Sequence, residues 1–230
     1  MFTMIVYGKQ LFLHLLEKYP KKIEVVYLAK ECDKKIFSKI VKLNVRIEKL
    51  DEKKAQALAR GGNHQGFLAQ IEPLRLVELS SLKNEEFLVV LSGVTDVGNI
   101  GAIIRSAYLF GASGIIVCGI RELKLENIIR TSSAAAFEVP ICSVFNVLDV
   151  INELKVSKYK IYAADMNGVN IDGVEFDKKR VLLLGSEGFG LSKKVLEKSD
   201  EVVSINIKKG FDSLNVSAAA AILCYRMKTL

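Results

Sequence analysis

With 230 residues, half of them hydrophobic, the chain can hold one large domain or a large and a small one, and three prolines argue against disordered linkers. No run reaches the roughly 18 consecutive apolar residues of a membrane span, and Met1-Phe2-Thr3-Met4-Ile5 shows no basic region followed by an apolar block, so the expected location is the cytoplasm. The net charge of +7 is uneven: residues 1–72 hold 14 Lys/Arg against 8 Asp/Glu, whereas residues 73–230 hold 19 against 18. That imbalance fits a polyanion-binding appendage on a near-neutral catalytic body, and a Lys-rich solvated surface would give the same count.

The first third reads as a small α/β unit. Ile5–Tyr7 suggests a strand. Gly8–Lys18 follows as a helix with Leu11, Leu15 and Leu16 on one face. Ile23–Leu28 predicts a strand, Asp33–Val41 a helix and Val45–Ile47 a strand. Asp51–Leu58 predicts a capped helix, followed by the loop Gly61-Gly62-Asn63-His64-Gln65-Gly66 and a strand at Phe67–Ile71. Residues 73–84 read as a linker.

A second series follows over 85–230. Strand-like runs fall at Phe87–Leu91, Ile115–Cys118, Lys160–Ala164, Val181–Leu184 and Val202–Ile207, and helical patterns at Ile100–Phe110, Asn146–Val156, Leu191–Lys198 and Leu214–Lys228. Near-continuous apolar strands alternating with helices predict a parallel sheet covered on both faces. Cys32, Cys118, Cys142 and Cys224 lie far apart, without metal-ligand spacing and with only two histidines, so they read as reduced thiols and no metal is expected.

Three clusters, each after a buried strand, carry the chemistry, where α/β sheets place their ligands. The first runs from Gly93 to Arg105, with Gly98, Gly101/Ala102 and Arg105 on one helical face, so that Arg105 projects beside residues too small to block access. An Arg in that setting suits a phosphate or a developing oxyanion, although a lone Arg on a helix is more often solvated. The second, Gly185-Ser186-Glu187-Gly188-Phe189-Gly190, has a spacing that is neither a dinucleotide fingerprint nor a Walker loop, with Glu187 placed as a base or as a loop-organising carboxylate. The third runs from Ile205 to Ser217, where Ser213 or Asn215 can cap the last helix.

In that order, Asp96/Asn99/Gly101/Arg105, then Leu184-Gly185-Ser186-Glu187-Gly188-x-Gly190-Leu191, then Gly210-x-x-Ser213-Leu214-Asn215-Val216-Ser217-x-Ala219 resemble the SpoU (TrmH) branch of the SPOUT RNA methyltransferases over roughly residues 86–228. Tyr7-Gly8-Lys9 and Asn63-His64-Gln65-Gly66 resemble the N-terminal substrate-binding domain of its 23S rRNA guanosine-2′-O-methyltransferase subfamily. The resemblance implies an α/β fold with a parallel sheet and a deep C-terminal trefoil knot, a homodimer, S-adenosylmethionine as methyl donor, and RNA, foremost 23S rRNA, as partner. It implies a donor pocket from Leu184, Gly185, Ile205, Gly210, Ser213 and Leu214, with Arg105, Asn99, Glu187 and Asn215 around the reacting ribose hydroxyl. Methylation of tRNA, a non-catalytic RNA-binding assembly factor and an antibiotic-resistance methyltransferase are the competing readings. The chain departs from the pattern in having Val97 where proline is frequent, Ile205-Asn206-Ile207 for Ile-Pro-Met, and Ala134 where glycine is common.

Overall fold

The computed structural model describes residues 4–208 and 213–228. The chain divides into two compact units: Met1–Leu74 with Leu125–Ala134, and Arg75–Lys124 with Ala135–Leu230.

The first unit is built from β1 (Met4–Tyr7), α1 (Lys9–Lys18), β2 (Ile23–Leu28), α2 (Lys34–Val41), β3 (Arg46–Lys49), α3 (Glu52–Leu58) and β4 (Phe67–Ile71). Its sheet runs in the order β1-β4-β2-β3, with β4 antiparallel to both neighbours and β3 parallel to β2. Alternation along the strands sorts the two faces. Phe67 meets Phe12 of α1, ring centroids 5.3 Å apart, while Leu68 of β4 joins Ala55 and Ala59 around α3, with Ile5 and Tyr7 packed against them. Asp33 and Asp51 cap α2 and α3 by accepting from backbone N–H groups of the first turn.

The second unit opens with β5 (Phe87–Ser92), α4 (Val97–Leu109) and β6 (Gly114–Cys118). Helix α5 (Leu125–Thr131) comes next in the chain and belongs to the first unit, where it packs on β1. The second unit continues with β7 (Ile141–Val144), α6 (Val147–Val156), β8 (Lys160–Asn170), β9 (Arg180–Leu184), α7 (Lys193–Lys198), β10 (Glu201–Ser204) and α8 (Val216–Met227). Its six strands lie in the order β10-β8-β9-β5-β6-β7, every ladder parallel. Strands β6 and β9 are buried at every residue, as a sheet covered on both faces requires. Leu88, Val90, Ile116, Val181 and Leu183 meet Val150, Ile151 and Leu154 of α6 and Val195 of α7, whereas α8 packs on β9 and on α4.

Some elements differ from the sequence reading. The stretch 73–84 is not a free linker beyond Leu74: Val77 pairs with Cys142, Leu79 and Leu82 are buried, and the Tyr159 hydroxyl donates within reach of the Leu82 and Glu85 carbonyls at 2.8 and 2.6 Å. Strand β8 runs on to Asn170, and β10 stops at Ser204 after a register shift between Val202 and Val203, so Ile205-Asn206-Ile207 leave the ladder. Strand β7 and helix α5 are additions to the sequence reading. Among the described residues no helix is long and apolar enough to cross a membrane.

Candidate active site

Three segments leave the carboxyl ends of β5, β9 and β10 in the second unit. Asp96 accepts from the Asn99 backbone N–H at 2.7 Å and so starts α4. Asn215, rather than Ser213, caps α8: its Oδ1 accepts from the backbone N–H groups of Ser217 and Ala218 at 2.9 and 3.4 Å and from the Ser217 hydroxyl at 2.6 Å. With Oδ1 so engaged, the Asn215 amide nitrogen points at the loop after β9.

There it donates to Glu187 Oε1 at 2.6 Å and to Asn99 Oδ1 at 3.2 Å, and the Asn99 amide nitrogen donates to the same Glu187 oxygen at 2.9 Å. Three side chains from three segments, 28 to 116 residues apart, thus form one closed ring of hydrogen bonds. The carboxylate accepts and both amides donate, so each bond to Glu187 is charge-assisted. Glu187 and Asn215 are exposed and Asn99 is half-buried, so the ring sits at the surface rather than inside the core.

Arg105 is exposed and lies elsewhere on α4, about 9 Å further along the helix axis than Asn99 and about 120° around it. It shares its face with Gly98 and Ala102 behind it and with Tyr108 and Leu109 ahead, both exposed.

The residues expected around a donor gather on the same loops. Leu184 is the buried last residue of β9, and Gly185 opens the loop. A Cβ at Gly185 would overlap the Gly190 carbonyl and the Leu191 nitrogen, because the loop folds back on itself and closes with Gly190 N–H donating to Ser186 O at 2.9 Å. Beside Gly188 and Gly190 the space is open to 4 Å, which leaves the backbone accessible to a ligand. Ile205 is half-buried just beyond β10, and Ser213 and Leu214 are exposed before α8, held near the β9 loop by the Asn215–Glu187 bond. Gly210 lies outside the described residues.

A hollow of about 340 Å³ lies at the carboxyl ends of β5, β6 and β7, lined by Gly93, Gly119, Phe145 and Asn146 among others. Sequence reasoning missed it because it missed β7. The accessible signal was Gly119, whose φ of +82° marks a left-handed turn directly after a buried strand. The buried thiols contribute no nucleophile: burial pushes Cys118 and Cys224 up to about 12 and Cys142 to about 11, so all three stay protonated near neutrality.

The motifs of the first unit also converge. Gly8 has no side chain to cap α1, and Gln65 substitutes for one, its Oε1 accepting from the Lys9 backbone N–H at 3.0 Å. His64, 2% exposed, accepts from the Gly66 N–H through Nδ1 at 3.1 Å and places Nε2 3.3 Å from a Glu52 carboxylate oxygen. Both nitrogens are engaged, so His64 works as a bracket for the loop.

Comparison with known proteins agrees with this layout. Residues 86–225 match the family model described as "SpoU rRNA Methylase family", and residues 5–77 match one described as "RNA 2'-O ribose methyltransferase substrate binding". An uncharacterized tRNA/rRNA methyltransferase of Borreliella burgdorferi is 30% identical, covering 92% of this chain and 95% of its own. The AdoMet-bound rRNA methyltransferase from Sinorhizobium meliloti is 26% identical and superimposes with a TM-score of 0.77 over 97% of this chain and 86% of its own. The TrmH/SpoU tRNA modifying enzyme of A. aeolicus is 26% identical, with a TM-score of 0.56 over 64% of this chain and 79% of its own. The two matched regions cover both halves of the chain, and the three motif segments meet at the ends of a parallel sheet: the chain belongs to the SpoU rRNA methylase family and is an RNA methyltransferase.

Proposed function

We propose that the chain transfers a methyl group from S-adenosylmethionine to a ribose 2′-hydroxyl of RNA, on a guanosine of 23S rRNA, as a cytoplasmic homodimer. The observation that carries this reading is the ring of Asn99, Glu187 and Asn215. It joins the α4 start, the loop after β9 and the α8 start into one polar surface beside the bare glycine backbone.

The donor set fits adenosine, since Leu184, Ile205 and Leu214 supply apolar walls while Gly185 and Ser213 bring backbone groups, with Gly210 assigned by motif alone. When bound, the sulfonium supplies an electrophilic methyl carbon. The protein's task is to align the 2′-oxygen and to raise its nucleophilicity. Arg105 acts as a cation that favours the alkoxide or grips the adjacent phosphate. Glu187 already has one oxygen occupied by two amide donors and serves as a positioning residue that holds the three segments in register. The trefoil knot is part of this reading, supported by a sheet in which the last strand joins the far edge beyond β8 while α8 returns to β9.

Dimerisation is supported by the outer face of α4 and α8, where Tyr108, Leu109, Ile222 and Tyr225 are exposed and the Phe110 and Tyr225 rings meet at 5.5 Å. A second copy seated there would also cover Arg105, which shares the face of Tyr108 and Leu109. The rRNA target is supported by the first unit, since the rRNA methyltransferase above matches this chain over 97% of its length and the tRNA enzyme over 64%. Incubation with labelled S-adenosylmethionine and, separately, unmodified 23S rRNA and total tRNA tests the reading. Label confined to a 2′-O position of 23S rRNA is the expected result. Label on tRNA alone moves the target, and no label on either overturns the proposal.

A further inference from the structure

The first unit carries an open cavity of about 510 Å³ that the methyl-transfer chemistry does not use. Tyr7, Gly8, Gln10, Leu11, His14 and Arg130 line it, together with Asn63 and Gln65 of the loop before β4. All of these residues belong to the one unit.

The cavity is organised around an aromatic ring. Tyr7 ends β1, and Gly62 backs directly onto its phenol, where any Cβ would overlap the ring; the glycine thereby fixes where the ring lies. The Arg130 guanidinium of α5 lies 5.5 Å from the centroid of the Tyr7 ring. Amide groups of Gln10, Asn63 and Gln65 border the same space, and Gln65 is held in place because its Oε1 accepts from the Lys9 N–H. Leu11 forms an apolar wall.

Gln10, His14 and Lys18 recur every four residues along α1, and Lys18 places one cation at the far end of that row. Residues 1–72 carry 14 Lys/Arg against 8 Asp/Glu.

An aromatic ring with a guanidinium 5.5 Å from its centroid and amides at the edge matches the chemistry of an unpaired nucleotide. The base stacks on the ring or the guanidinium plane, its edge meets amides, and its phosphate meets the guanidinium where the base does not. The volume suits a small ligand and leaves no room for a helix. We infer that this cavity is a subsite for one splayed-out base of single-stranded RNA, with Tyr7 as its stacking platform and Arg130 holding the base or its phosphate. This rests on the reading of the chain as an RNA methyltransferase and assigns the first unit a recognition step distinct from methyl transfer.

The test uses the full chain and a single-stranded RNA carrying 2-aminopurine, followed by fluorescence quenching and by affinity across a salt series. The wild type is expected to quench the probe, because stacking on an aromatic ring suppresses its emission. Tyr7→Phe should keep both quenching and affinity, while Tyr7→Ala should lose the quenching and weaken binding tenfold or more. Arg130→Gln tests the site without touching the sheet: it should lower the slope of log affinity against log salt by about one if the guanidinium meets a phosphate, or reduce quenching if it stacks. Quenching that is absent in the wild type, or equal in wild type, Tyr7→Ala and Arg130→Gln, overturns the inference. Methylation of 23S rRNA by the same preparation is scored alongside. Label without quenching discards the subsite and keeps the enzyme reading, and quenching without label does the reverse.

Discussion

The two units each tie distant segments together with polar side chains, and they do so under opposite conditions. In the first unit the tie is His64, which is 2% exposed and whose ring nitrogens face the Gly66 N–H and Glu52. In the second it is the ring of Asn99, Glu187 and Asn215, at the surface, with Glu187 and Asn215 exposed and Asn99 half-buried. Water competes for every bond of an exposed ring, so its net contribution to stability is small, whereas an unmade bond in the buried bracket leaves a desolvated N–H. The buried tie therefore serves the fold, and the exposed one holds a surface ready for a ligand. Stability and activity should come apart along this line.

The sharpest separation is expected at Arg105. Arg105→Ala should lower methylation by about 10²- to 10³-fold, the cost of removing one preorganised charge-stabilising group, while the melting temperature stays within the scatter of a surface substitution. Donor binding, followed by calorimetry, should survive. Near-normal turnover in this variant would remove Arg105 from the reaction.

A second separation follows from where the buried ionisable groups lie. Cys118, Cys142, Cys224 and Tyr159 all belong to the second unit, and burial raises each of them, to about 12, 11, 12 and 12. The neutral forms are thus favoured in the fold, so the contribution is complete below the unfolded values, 9.0 for the thiols and 10.0 for the phenol, and is lost as pH climbs toward the folded values. At pH 10 the penalty is roughly 1 kcal/mol for each fully buried thiol, on the order of one pH unit above its unfolded value. Proteolysis at pH 10, with fragments located by mass spectrometry, should open the second unit ahead of the first. Preferential cleavage within 1–74 would contradict it.

The first unit is broken instead at its bracket. His64→Ala strips the acceptor from the buried Gly66 N–H and should cost about 1–3 kcal/mol, a few degrees in melting temperature. Donor binding should be unchanged. A melting curve identical to the wild type would mean that the loop finds another acceptor.

These contrasts were only partly visible in the sequence. The buried strands of the second sheet announce themselves as continuous apolar runs, and the parallel sheet follows from their alternation with helices. Strand β7 is four residues long and begins just after Pro140, and α5 is seven residues long, both too short for a periodic signal. Local backbone chemistry explains two departures from the family pattern. Val97 is the first residue of α4, a position where proline is favoured because its fixed φ suits a helix start. Ala134 sits at a φ of +68°, the left-handed region in which glycine is at ease. What no pattern could reveal is the ring itself. Asn215 reads equally well as a helix cap, and only the tertiary fold turns its amide and that of Asn99 toward one carboxylate oxygen.

That ring also supplies the finest test, because two roles for Glu187 predict opposite results from one conservative change. A glutamine keeps an oxygen that can accept from both Asn99 and Asn215 but cannot take up a proton near neutrality. If Glu187 only holds the segments, Glu187→Gln should retain turnover within about threefold, while Glu187→Ala, which removes the shared acceptor, should lose about tenfold, the value of a charge-assisted bond or two partly screened by solvent. The rate–pH profile of the glutamine variant should follow that of the wild type, since no titrating base has been deleted. If Glu187 takes the proton of the 2′-hydroxyl, the glutamine variant instead fails as badly as the alanine variant, and the pH dependence flattens. The geometry favours the first outcome, because the oxygen nearest the asparagines already accepts two hydrogen bonds, at 2.6 and 2.9 Å.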